Sequence, residues 1–392
     1  MLPVLLSTIA LLLSSSSVLV QAIPAAEAAV SIGAAPGAPS PSSPGTINMS
    51  DYPSPSAIPP TDSDQVKKWL SEIDLSGAPS IPHNVGEPPS CPAKIEPGVC
   101  YWTCEDCAAD DVVDCPDPNH WGLTFDDGPT PATPDLLDFL KAQSIKATFF
   151  LIGGNVIKYP KTVVDEVQAG HHLASHTALT TLTNEQIVAE IKWTEKAIEE
   201  ATGYRVRYMR PPYGDIDNRV RYVLRQLGYT VVDWGGDTFD SEDWKIPQVS
   251  ETKVVSDFQA SITTYSQNLT NSRGFISLEH DLTSVTVGVA KTLIPFGLQK
   301  NLTILSVAEC LKDATPYKAV NGVPMVPGSV NTTAPANGTT IVTNSGSPAS
   351  SGSGQDGLDL KNHKSSLAAH TIEGRFLWVT AAAAGAFLYT ML

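Results

Sequence analysis

Between about residue 116 and residue 315, short β-rich apolar runs alternate with stretches in which apolar residues recur every three to four positions. The first run, Trp121–Phe125, predicts a strand ending at Asp126. Thr133-Pro134 then opens a helix with Leu136, Leu137 and Leu140 on one side. Ala147–Ile152 predicts the next strand, Lys161–Gln168 a helix stopped by Gly170, and His171–His176 a further extended run. The clearest helix begins at Thr183-Asn184-Glu185-Gln186, shares Ile187, Ile191, Thr194 and Ile198 on one face, and stops at Gly203. Strand Tyr208–Arg210, helix Asn218–Leu227, strand Tyr229–Trp234, helix Lys253–Tyr265 and strands Gly274–Glu279 and Leu302–Ser306 complete the pattern. About seven strand and helix pairs predict an α/β fold built as a single distorted (β/α)7–8 barrel, in which reactive residues gather at the C-terminal ends of strands.

The flanks lack this periodicity and read as disordered. Residues 1–22 form an apolar, Ser-containing run ending Val20-Gln21-Ala22, as in a cleavable secretion signal. Residues 23–90 are rich in Pro, Ser and Ala and read as an unfolded spacer with one short helix over Asp64–Ile73. A Cys-rich lead-in spans 91–115, and the folded domain spans 116–315. A Ser/Thr/Gly-rich stalk with a lipid-attachment region fills 316–375. The last stretch, Phe376–Leu392, reads as the apolar tail of a glycolipid-anchor signal, with a plain membrane span as the alternative, and predicts a protein at the cell surface, GPI-anchored to the plasma membrane or wall.

Composition narrows the partners. With 25 Lys and Arg against 41 Asp and Glu, and a net charge of −16, no broad basic surface is left for nucleic acid; a monomer is expected. Asn48, Asn268, Asn301, Asn331 and Asn337 each open an Asn-X-Ser/Thr triplet and are glycan candidates in a secreted chain. The six cysteines suit disulfides in an oxidising compartment, with a zinc cluster at Cys100, Cys104 and Cys107 as the alternative. Cys115 and Cys310 bracket the regular region, so a bridge between them would tie its ends together.

Asp126 and Asp127, His176, Arg210, the Asp237–Asp243 segment and His280 all follow predicted strands, so one rim can collect them. A lone Asp-Asp-Gly-Pro can cap a helix, but two adjacent carboxylates can also divide the work of binding a metal and taking a proton. The order TFDDGP, SHT, RPPYGD, WGGDTFDSEDW and ISLEH, over Trp121–Leu311, resembles the polysaccharide deacetylases of the NodB-homology type (carbohydrate esterase family 4), and within them the fungal chitin deacetylases.

The resemblance implies metal-dependent removal of N-acetyl groups from chitin, giving chitosan and acetate at a fungal cell wall, with a divalent metal, zinc before cobalt or manganese. It makes Asp126 the general base, Asp127 and His176 metal ligands, and Arg210 the residue that orients the base. His280 becomes the general acid, oriented by Asp240 or, failing that, Asp237. Tyr213 supplies an oxyanion N–H, and Trp234, Trp244 and Leu278 line the sugar and acetyl pocket. One departure matters: the family pattern His-Thr-Trp-Ser-His carries a second metal histidine, whereas this chain reads His176-Thr177-Ala178-Leu179-Thr180. His172 has the right count but sits on a predicted strand, where four residues span ~13 Å. The alternatives are a noncatalytic wall-polysaccharide-binding homologue that has lost a metal ligand, and a glycosidase.

Overall fold

The computed structural model describes residues 47–54, 57–86, 88–177, 180–235, 237–267 and 273–319, all within one compact unit. In chain order the elements begin with helices α1 (Asp64–Ser71) and α2 (Trp102–Glu105), then β1 (His120–Gly122), β2 (Thr124–Asp126), α3 (Thr133–Gln143) and β3 (Thr148–Leu151). There follow α4 (Gly153–Lys158), α5 (Pro160–Gln168), β4 (His172–His176), α6 (Asn184–Thr202), β5 (Arg205–Val206), β6 (Tyr208–Arg210), α7 (Asn218–Gln226) and β7 (Thr230–Val231). The last are α8 (Glu251–Ser266), β8 (Phe275–Ile276), α9 (Ser284–Gln299), β9 (Thr303–Leu305), α10 (Val307–Cys310) and β10 (Tyr317–Lys318).

The fold is α/β. A five-stranded sheet runs β2-β3-β4-β6-β7, with every pairing parallel, and a three-stranded parallel sheet runs β8-β1-β9. β2, β3 and β4 are buried along their whole length, as expected of parallel strands covered on both faces. The expected closed barrel is not what the ladders give. The described strands sort into separate sheets, and beyond its pairing with β6, β7 gains only the Val112↔Val232 bridge of its own edge. The two sheets nonetheless adjoin: Leu123 N–H donates to Leu305 O and its carbonyl accepts from Thr148 N–H, Gly235 N–H beyond β7 donates to Ile276 O of β8, and the bridges Asp126↔His280 and Asp240↔Leu278 bring strand ends together at the site.

Helix α6 shows why the local sequence was so readable. Thr183 and Gln186 form a reciprocal capping box, and Gly203 adopts the left-handed conformation (φ +81°) that ends the helix. Helix α9 was not evident in the sequence pattern. Its apolar residues run nearly all round and Pro295 interrupts it, yet Val287, Val289, Leu293 and Ile294 are buried in the core.

The spacer reading fails for residues 47–86. Val66 and Trp69 of α1 are buried, Trp69 meets Trp193 of α6 edge-on at 5.0 Å, and Tyr52 Oη donates to Glu200 Oε2 at 2.5 Å. A few large side chains therefore dock a segment whose composition looked unfolded. At the other end the fold passes residue 315, because β10 pairs antiparallel with β5. A Cys115–Cys310 disulfide joins the entry to β1 with the end of α10, and Cys91–Cys104 and Cys100–Cys107 staple the lead-in; none of the six cysteines is free for zinc. Residues 1–22 and 376–392 lie outside the described residues, as do Asn268, Asn331 and Asn337. Among the described residues no helix is long and apolar enough to cross a membrane.

Candidate active site

Strand ends build the site. β2 delivers Asp126, and its N–H donates to Glu279 O at 2.9 Å, which locks the β2 end against the segment carrying His280. β6 delivers Arg210, which is fully buried. Its Nη1 donates to Asp126 Oδ1 at 2.9 Å and to Thr124 Oγ1 at 2.7 Å, Nε to Val232 O at 3.1 Å, and Nη2 to Asp233 O at 2.8 Å. A buried cation satisfied this fully holds one orientation, and so does the carboxylate it grips. Thr124 opens the TFDDGP motif, but the motif alone assigns it no role; the structure makes it a hydroxyl bridge to Arg210.

His280 lies beside Asp126, across the Asp126↔His280 bridge. Its Nδ1 meets Asp243 Oδ1 at 2.6 Å, and its backbone N–H donates to Asp243 Oδ2 at 2.9 Å. Burial pulls its pKa down, but the Asp243 carboxylate, helped by Asp127 and Asp126, outweighs that and pushes it up to about 10. The ring is thus protonated at neutral pH and can donate a proton. The orienting residue expected was Asp240 or Asp237. Asp240 instead accepts the Glu242 N–H at 2.8 Å, forming a turn that carries the chain round until Asp243 faces the histidine, while the side chain of Asp237 lies outside the described residues. Burial raises the pKa of Asp240.

The remaining expected residues lie in the turn after β6, beside Arg210 and along the segment that carries Asp240. Tyr213 holds a left-handed backbone (φ +61°) in the turn after β6. Trp234 lies with its ring 5.7 Å from the Arg210 guanidinium carbon, Leu278 is buried, and Trp244 is 36% exposed with Nε1 3.4 Å from Asp240 Oδ2.

The third group is incomplete. His176, at the end of β4, uses Nδ1 to reach Arg210 O at 2.9 Å, which leaves Nε2 3.4 Å from Asp127 Oδ1. Both carboxylate oxygens of Asp127 are buried without a hydrogen-bond partner. A buried carboxylate with no hydrogen bond, in ionic contact with an imidazole nitrogen, suits a cation, but these are two donors, and a catalytic zinc ordinarily needs three from the protein. The expected divalent metal is therefore overturned: among the described residues no group of three or more His, Cys, Asp or Glu is placed to hold a metal ion. Nor does the sequence supply one nearby, since Thr177 to Leu182 contains no histidine or carboxylate. His172 is no substitute. It is buried at the far end of β4, its Nδ1 is 3.1 Å from Thr148 Oγ1, and its ring packs edge-on against Tyr208 and Tyr317. Burial lowers the His172 pKa to about 3.

The α/β scaffold thus gathers at its strand ends a carboxylate held by an arginine and a histidine held by a second carboxylate, the kind of paired groups that acid–base hydrolysis uses. A family model described as polysaccharide deacetylase matches residues 114–232. Chitin deacetylase 1 of Saccharomyces cerevisiae is 37% identical over 249 residues, 62% of this chain and 76% of that protein. Chitin deacetylase 1 of Cryptococcus neoformans var. grubii is 42% identical over 281 residues, 68% of this chain and 59% of that protein. The solved chitin deacetylase of Colletotrichum lindemuthianum superposes with a TM-score of 0.48 at 30% identity, covering 53% of this chain and 95% of that one. The chain belongs to the polysaccharide deacetylase family. It spans 59% of the Cryptococcus protein and 54% of the Amylomyces rouxii chitin deacetylase. The family supports a deacetylase-type enzyme, and the missing third donor is the specific weakness in that assignment.

Proposed function

We propose that this chain binds chitin-type polymers of N-acetylglucosamine at a cell wall, as a family member that has lost a metal ligand and with it efficient hydrolysis. The observation that carries the reading is the two-donor pair Asp127 and His176, with no third ligand among the described residues. Trp234, Trp244 and Leu278 would supply apolar faces to the sugar ring and its acetyl group, and the Tyr213 turn would place a backbone N–H at the acetyl oxygen. The reading includes secretion through residues 1–22, a stalk over 316–375, and glycolipid anchoring from 376–392. Glycans at the exposed Asn48 and Asn301, and at Asn268, Asn331 and Asn337, suit a surface protein.

Hydrolytic deacetylation is the second reading, favoured by one observation: the Asp126–Arg210 and Asp243–His280 pairs remain intact. One experiment separates them. Purified full chain is titrated with chitopentaose by calorimetry, while acetate release and metal content are followed on the same sample. Binding without acetate supports the proposal. Acetate release at a rate proportional to protein puts deacetylation first, and absence of both sinks the polysaccharide reading.

A further inference from the structure

We propose that Trp102 and Thr103 of α2, framed by the disulfides Cys91–Cys104 and Cys100–Cys107, position the wall of the proposed sugar pocket and so set its affinity. The proposal rests on the polysaccharide-binding reading above. It concerns residues outside every motif that carries the family likeness.

The turn after β6 needs an external brace. Tyr213 is a non-glycine residue at φ +61°, which costs about 1–2 kcal/mol and persists only where surroundings impose it. Gly214 follows at φ +65°, where a Cβ would lie 2.5 Å from Trp102 Cδ1 and 2.9 Å from Trp234 Cη2. Thr103 Oγ1 donates to Tyr213 O at 2.9 Å, so the lead-in holds the strained residue by its own carbonyl. Trp102 is buried, and its ring meets Trp234 edge-on at 5.9 Å. Trp234 in turn lies over Arg210, which holds Asp126. One contiguous line of contacts thus runs from the lead-in to the carboxylate.

The brace is itself fixed. Cys100 N–H donates to Asn218 Oδ1 at 2.6 Å, and Arg221 of α7 donates to Cys100 O at 2.5 Å and to Cys107 O at 2.9 Å. The two disulfides close loops of only 13 and 7 residues of sequence separation around a segment that has no strand of its own. Short covalent loops restrict such a segment where a sheet ladder cannot. The ligand class that this wall would meet is a β-linked N-acetylated sugar chain, through an aromatic face and a backbone N–H.

The test uses the purified full chain with Trp102→Ala, Trp102→Phe and Thr103→Val. Chitopentaose affinity is measured by calorimetry, the melting temperature by scanning fluorimetry, and amide exchange by mass spectrometry over residues 208–218, α6 and α9. Trp102→Ala is expected to weaken binding about tenfold and Thr103→Val about threefold, with faster exchange confined to residues 208–218, and Trp102→Phe to restore most of the affinity. Affinities within twofold of the parent overturn the proposal. So do losses that track a lower melting temperature and faster exchange in α6 and α9, since those mark a purely structural role. A parent that binds no chitopentaose overturns the binding reading itself, and this proposal with it, an outcome distinct from a binding parent with unchanged variants.

Discussion

The two sides of the rim are built from the same kinds of residue and differ in how completely those residues are paired. On one side Asp126 is gripped by Arg210, and His280 by Asp243, each at 2.6–2.9 Å and each buried. On the other, Asp127 keeps two buried oxygens without a partner and meets His176 only at 3.4 Å. Buried charge that finds hydrogen bonds can persist for structural reasons alone, because removing either partner leaves the other stranded. Charge that finds none is costly to keep and signals a missing contact. The acid–base pairs are therefore weak evidence of turnover, whereas the unpaired carboxylate bears directly on what has been lost.

The comparison is broken most forcefully by restoring the missing donor. Insertion between Leu179 and Thr180 of the residues that complete a His-Thr-Trp-Ser-His spacing is expected to give divalent-metal retention through dialysis. Acetate release should rise about a hundredfold over the parent, the scale on which positioned acid–base groups act. No gain in either would show that the paired side has also decayed. Next in size, Arg210→Met strands Asp126 in the core and is expected to cost about 3–5 kcal/mol in urea unfolding.

Behind His280, Glu279 is fully buried, and burial, assisted by Asp243, pushes its pKa from 4.5 up to about 8. The folded state thus prefers the neutral acid while the unfolded chain ionises. Stability present below pH 4.5 is lost as pH rises to about 8, and Asp281, pushed up to about 7, acts in the same direction. The melting temperature is expected to fall across that window, and Glu279→Gln to flatten the fall. The smallest effect separates the two sides by size: Asp127→Asn should change stability by no more than about 1 kcal/mol, because the carboxylate it replaces makes no hydrogen bond and only a 3.4 Å contact with His176. A loss as large as that of Arg210→Met in the same urea assay would mean that Asp127 is held as firmly as Asp126.

Much of this architecture is legible in the sequence because its causes are local. Thr183, Gln186 and Gly203 announce both ends of α6, and the apolar run before Asp126 announces its strand end. The replacement of Asp240 by Asp243 is not local in that sense. The Asp240–Glu242 turn is short-range, but which carboxylate of the segment faces His280 depends on a contact 37 residues away, and spacing within the segment cannot reveal it. Helix α9 is hidden because burial on most sides erases its period, and the docking of residues 47–86 because it depends on a few distant contacts of Tyr52, Val66 and Trp69. The weak point of the site, by contrast, shows in the sequence as a count: two donors where three are needed.

The Cys115–Cys310 disulfide has a mechanical meaning. It links two points 195 residues apart in sequence, between which lie every strand of both parallel sheets and every residue of the candidate site. Tension applied to the chain outside this pair passes through the covalent bridge and bypasses the enclosed segment. Pulling can peel β10 from β5, but the sheets and the candidate site bear little of the load while the bridge is closed. Once it is reduced, the same pull is transmitted through the strands.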